Sequence, residues 1–287
     1  MKARNIMPVV LVCIGLLTGL FGCKSSMSIR QLVKEEWRDT VRNTKYDFLI
    51  KGEFIENDTL FFTQEFLKNY PTEDGEPLRN TTIFLEPSKN SHYYTQEYWI
   101  EYLDEERCAE DWEYWQEGRM EEGLPALRRV ETFGLPKDWI PLHFYKGRPC
   151  AYVPCQLDSP CQRRLTDSLI AERGFDVFFT PLISSEKQSE SLYHFEIEDY
   201  RTLKTADLYI HIIDKKTKAA VWKYRYPNKE EYILMIPIES VSCFDLIVCK
   251  APYQIYMEDQ QLLFDRVDVK TLLEEVKSGK RTNLFNN

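Results

Sequence analysis

The chain has 287 residues, with 37 Lys+Arg against 46 Asp+Glu for a formal charge of −9, and is 43% hydrophobic and 29% charged. That balance argues against a disordered or membrane-spanning chain, and the net negative charge argues against nucleic acid as a partner, because phosphate binding needs a basic surface. The length allows about two domains, or one large β-rich one.

Lys2 and Arg4 open the chain, and Ile6–Phe21 follow without a charge. This run is shorter than the roughly 20 residues of a spanning helix and has the proportions of a secretory apolar segment. It ends in Leu20-Phe21-Gly22-Cys23, which resembles the lipobox of bacterial lipoprotein precursors. Leu20 takes the aliphatic position, Gly22 the small one and Cys23 the lipidated one; Phe21 stands where a small residue is usual. The resemblance implies a signal peptide over 1–22, a palmitate-bearing anchor at Cys23 and a place in the cell envelope. A plain secretory peptide with an incidental cysteine is the competing reading. Lys24 replaces the aspartate of inner-membrane retention. Lys24-Ser25-Ser26-Met27 lacks the acidic cluster of surface-exported lipoproteins of the Bacteroidota, which the sequence otherwise resembles. The expected address is therefore the outer membrane, facing the periplasm. Removing 1–22 takes two basic residues and leaves −11.

Residues 23–44 form the anchor and a membrane-proximal helix. Ser28-Ile29-Arg30-Gln31 is a capping-box pattern, and Ile29, Leu32, Val33, Trp37 and Val41 recur at helical spacing, which predicts a helix over 28–42. Arg30, Lys34, Arg38 and Arg42 make a basic stripe beside that apolar arc, suited to contact with anionic lipid. Packing of Trp37 and its neighbours on the protein body is the alternative.

Residues 45–135 read as a mixed α/β region. Tyr46, Phe48 and Ile50 alternate with polar neighbours, and Glu56-Asn57-Asp58 offers turn chemistry before Thr59–Thr63, so a hairpin is expected. Pro71–Pro77 reads as a loop and Thr81–Glu86 as another strand. Residues 97–122 hold eleven acidic and two basic side chains. Cys108, Trp112, Trp115 and Arg119 fall on one face of a helix expected over about 105–121. Trp99, Trp112 and Trp115, set among carboxylates, suit a sugar-stacking surface as well as core filling.

From 136 to 278 the period becomes two. Tyr193, Phe195 and Ile197 oppose His194, Glu196 and Glu198; Leu208, Ile210 and Ile212 oppose Tyr209, His211 and Ile213; Trp222, Tyr224 and Tyr226 oppose Val221, Lys223 and Arg225. Turns at Asp214–Thr217 and Pro227-Asn228, with runs at 175–183, 231–238, 243–249 and 261–266, predict about eight or nine antiparallel strands. These fit a β-sandwich or a lipocalin-like barrel, in which Trp222, Tyr224 and Tyr226 line a pocket or fill the core. Asp268 caps a closing helix striped by Val269, Leu272, Leu273 and Val276 and stopped by Gly279, with 279–287 as a tail.

Motifs of known chemistry are sparse. Ser184-Ser185-Glu186-Lys187 matches S-x-x-K without its partner motifs, and His92, His143, His194 and His211 are far apart, with His211 expected to be solvated or satisfied on a polar strand face. Cys108, Cys150, Cys155, Cys161, Cys243 and Cys249 follow Cys23 in a compartment that permits disulfides. Cys243 and Cys249 on one strand would stand about 20 Å apart, too far to bond. Cys155 and Cys161 flank a turn and are the best local pair; buried free thiols are the alternative. The acidic run reads as a solvated face, with a weak calcium site as the sharper alternative.

The expectation is an α+β lipoprotein with no cofactor: an envelope module that binds a small ligand or an envelope protein, without catalysis. A carboxylate-based, glycan-directed hydrolase is the rival.

Overall fold

The computed structural model describes residues 41–43, 48–56, 59–66, 82–95, 98–99, 105–154, 162–173, 177–199, 204–250 and 264–281. The signal peptide, Cys23, Arg30, Lys34, Arg38, Cys155 and Cys161 lie outside them. The first strands are β1 (Val41–Asn43), β2 (Phe48–Glu56), β3 (Thr59–Phe66) and β4 (Thr82–Leu85). The expected hairpin is β2–β3, in antiparallel register from Phe48↔Phe66 to Glu56↔Thr59. The end of the predicted 28–42 helix is corrected: Val41 and Arg42 are strand, opposite Ile50 and Leu49. Pairing with β2 satisfies their backbone groups in a ladder and carries Arg42 out of the basic helical stripe.

Helix α1 spans Glu105–Glu121. The chain then alternates between two sheets. Strand β5 (Asp138–Pro141) begins a barrel, and β6 (His143–Tyr145) and β7 (Arg148–Val153) leave it as a hairpin. Strands β8 (Arg163–Leu165), β9 (Leu169–Arg173), β10 (Val177–Ser189), β11 (Leu192–Asp199), β12 (Lys204–Ile212), β13 (Ala220–Tyr226) and β14 (Lys229–Pro237) then run up and down in order. Each pairs antiparallel with the next, and β5 bridges β14 and β8 to close eight strands into a barrel. Of the sandwich and the barrel, the barrel forms. The β6–β7 excursion turns on Lys146-Gly147, both at positive φ (51° and 73°), which supplies the primed two-residue turn that matches strand twist.

Strand β15 (Asp245–Lys250) departs from the sequence expectation. It leaves the barrel and inserts in the open sheet β1-β2-β3-β4-β15-β7-β6, antiparallel to β4 and parallel to β7. That sheet therefore draws strands from both sides of residue 136. The 261–266 run is not a strand over its described part, Phe264–Arg266, although Asp265 N–H donates to the Phe144 carbonyl (2.8 Å) at the β6 edge. The closing helix α2 is Val269–Lys277, with Asp268 accepting from Thr271 N–H at 3.1 Å.

Two apolar cores result from strand alternation. Inside the barrel, Trp139, Phe195, Leu208, Ile210, Trp222 and Met235 interdigitate. Outside it, Ile140, Val221, Leu234 and Ile236 meet Phe144, Val153, Leu246 and Val248 of the open sheet, under Leu272 and Leu273 of α2. Helix α1 lays Cys108 and Trp112 on Leu169 and Ala171, the outward residues of β9, and its Arg119 pairs with Glu198 of β11. The described residues contain no helix long and apolar enough to cross a membrane.

Candidate functional site

The barrel is packed at its centre and open at one end. Trp139 and Trp222 meet edge to face (5.5 Å between rings) and are fully buried, so no channel runs through. Toward the end where β13 turns into β14, a cavity of about 200 Å³ remains, lined by Arg163, Ile170, Glu172, Phe178, Thr180, Ile197, Tyr224, Tyr226, Lys229 and Glu231.

The site is assembled by strand alternation. On β8, Arg163 points into the barrel while Arg164 points out. On β9, directly opposite, Glu172 points in. The two form a forked ion pair, Nε to Oε2 at 3.1 Å and Nη2 to Oε1 at 2.9 Å. Such bidentate geometry fixes the guanidinium plane. Arg163 also faces the Tyr224 ring at 5.6 Å and reaches the Met235 sulfur with Nη1 at 3.6 Å. Tyr224 and Tyr226 lie nearly parallel (6.1 Å, 8°) on one face of β13, and Lys229 stands over the Tyr226 ring at 4.8 Å while bonding Glu231 at 2.6 Å. Burial pushes the Tyr224 phenol upward, with Arg163 pulling the other way, so it stays a neutral hydroxyl. One ring deeper, the indole N–H of Trp222 has no hydrogen-bond partner among the described residues.

Of the strand aromatics named from sequence, Tyr224 and Tyr226 line this cavity and Trp222 floors the core beneath it. The helix set does not assemble. Trp99 is fully buried, its indole donating to the Tyr93 carbonyl (3.0 Å), and belongs to the core between sheet and barrel. Trp112 is buried against β9, and Trp115 is half-buried. Of the two readings, core filling is therefore the one that Trp99 and Trp112 take, each buried in an apolar cluster. Among the described residues no group of three or more His, Cys, Asp or Glu is placed to hold a metal ion. Ser184 bonds Glu196 (3.2 Å) while Lys187 pairs with Glu190 (2.8 Å), so they serve separate surface contacts. Cys108, Cys150, Cys243 and Cys249 are outside disulfides.

Arg163, Glu172, Phe178, Thr180, Lys229 and Glu231 line the cavity without standing out in the sequence as candidates. The usable signal is the Thr166-Asp167-Ser168 turn, whose Thr166 hydroxyl accepts from Leu169 N–H at 2.9 Å. Reading it as a hairpin turn puts Arg163 opposite Glu172.

No family model, curated protein or solved structure matches the chain, so its role is argued from this site.

Proposed function

We propose that the protein is a lipid-anchored module of the bacterial cell envelope, on the periplasmic side of the outer membrane, that binds a small neutral polar ligand of the sugar class at the barrel end. The observation that carries the binding reading is the cavity itself: aromatic faces beside two balanced charge pairs, the forked Arg163–Glu172 pair and the single Lys229–Glu231 contact. Ring stacking serves the carbon face of a sugar, and the charge pairs serve its hydroxyls. The cavity is smaller than the roughly 300–1,000 Å³ of sites for drug-sized ligands, which favours a single ring over a lipid chain. The hydrolase alternative has Glu172 and Glu231 in the wall, but each is engaged by a cation and neither belongs to the acidic 97–122 region on which that expectation rests.

Saturation-transfer NMR with a panel of neutral hexoses and N-acetylhexosamines tests the site on the full chain in detergent. At least one sugar should show transfer that disappears in Tyr226→Ala and in Thr180→Trp, which fills the cavity. Transfer from none of them, or transfer that survives both variants, sinks the reading. The anchor rests on Gly22-Cys23 and the charge and apolar run before it. Metabolic labelling with palmitate should mark the wild type and spare Cys23→Ser; equal labelling ends the lipoprotein reading.

A further inference from the structure

On the other side of β8 from the sugar site, a cavity of about 360 Å³ opens between the start of α1, the 129–137 segment and the β8–β9 turn. Its walls are tied by backbone bonds: Val130 N–H donates to the Asp167 carbonyl and Leu165 N–H to the Lys137 carbonyl, each at 2.7 Å. Arg164 lines it and is itself buried. Its Nε and Nη2 are spent on Asp138, at 2.7 and 3.0 Å. A guanidinium has five N–H donors, and the two on Nη1 take no partner among the described residues. A largely buried cation with an unused donor edge, lining a cavity of ligand size, can offer two N–H groups to an acceptor there.

The rim repeats the preference. Lys137 and Arg129 border the cavity, each held by an exposed carboxylate: Glu105 at 2.7 Å and Asp167 at 2.6 Å. Exposed pairs of this kind hold weakly, so either cation can turn to a ligand. The hydroxyls of Thr132, Thr166 and Ser168 complete a polar wall, and Cys108 and Ala109 form a less polar one. The charge count selects among anions. Arg129, Lys137 and Arg164 are offset by Glu105, Asp167 and the Asp138 behind Arg164, so a single negative charge is tolerated better than two.

We propose that this cavity binds a small organic carboxylate, its oxygens on the Nη1 edge of Arg164 and within reach of Lys137 and Arg129, its carbon part beside Cys108 and Ala109. This site is separate from the barrel-end pocket, although one short strand, β8, supplies an arginine to each.

Butyrate and benzoate are the probes, with 1-butanol and benzyl alcohol as uncharged counterparts, followed by saturation-transfer NMR on the full chain in detergent. Both carboxylates should bind saturably and both alcohols should not. Arg129→Gln/Lys137→Gln, which changes exposed rim residues, should weaken binding about tenfold. Asp138→Leu/Arg164→Leu, which removes the buried pair without stranding a charge, should abolish it, while Tyr226→Ala should leave it intact. The proposal is overturned if neither carboxylate binds, if the alcohols bind equally, or if affinity is unchanged in the rim variant. Loss of binding in Tyr226→Ala would move the carboxylate to the barrel end and equally overturn it. Inorganic phosphate competing more tightly than either probe would make this a dianion site instead.

Discussion

Replacing Asp138 by alanine is expected to destabilise the fold by about 3–5 kcal/mol, the cost of stranding one member of a buried ion pair. Asp138 and Arg164 face each other across β5 and β8, the junction where the barrel closes, with side-chain exposures of only 8% and 5%. Two bonds at 2.7 and 3.0 Å join them. Arginine cannot shed its proton to escape burial, so without Asp138 a full positive charge is left in the wall between α1 and the barrel. Asp138→Leu/Arg164→Leu should recover most of the loss, because the paired desolvation is then removed together. Urea denaturation of wild type, the alanine variant and the double variant decides it. A loss below about 1 kcal/mol for Asp138→Ala would mean that water in the cavity beside Arg164 solvates its charge as well as a surface site does, and that the pair is in effect a surface one.

The same junction shows what alternation conveys and what it does not. Tyr193, Phe195, Ile197, Leu208, Ile210, Trp222 and Tyr224 all point into the barrel, as their period-two spacing predicts. The closing helix is equally legible, because Leu272 and Leu273 fall on its buried face. Period two identifies a strand's face and is silent about its sheet. Asp245–Lys250 alternates like a barrel strand, yet its partners are Thr82–Leu85 and Cys150–Val153, set by long-range packing between the barrel wall and the open sheet. Short charged strands hide in another way. Arg163-Arg164-Leu165 looks like surface, and only the cross-strand carboxylates Glu172 and Asp138 make burial of both arginines tolerable. At Trp99 and Trp112 the core alternative holds for the converse reason: dense acidic neighbours in sequence mark the solvent side of an element and say nothing of its other side. Of the residues lining the barrel-end cavity, Tyr224 and Tyr226 are therefore visible as a pair on one strand face. The forked pair Arg163–Glu172 is not, because its two charged residues lie at or beside the ends of short strands and read as surface.

His211 supplies the second large effect. The sequence places it on the polar face of β12, satisfied or solvated, and the structure takes the first: α2 covers that face, bringing Lys277 Nζ to 3.5 Å from Nε2, and the ring is buried. Burial first, then the charges of Lys277 and of Lys223 on β13, bring its pKa down from 6.5 to about 4. The unfolded chain accepts a proton near pH 6.5, whereas the folded one refuses it until about pH 4. Between those values the unfolded state binds more protons, so stability is full above pH 6.5 and declines as pH falls toward 4. A shift of this size corresponds to about 3 kcal/mol at the low end, by the 1.36 kcal/mol per pKa unit of linkage. His143, likewise held near 4 by burial, titrates over the same range, as do carboxylates at its lower end. The test is therefore a difference: unfolding free energies of wild type and His211→Gln from pH 7.5 to 4. The gap between them should move by about 3 kcal/mol in favour of the variant as pH falls, and Lys277→Gln should shrink the wild-type slope by relieving one of the charges that oppose protonation. Parallel curves for wild type and His211→Gln would show that the ring is protonated in place, with α2 yielding to water instead of sealing it.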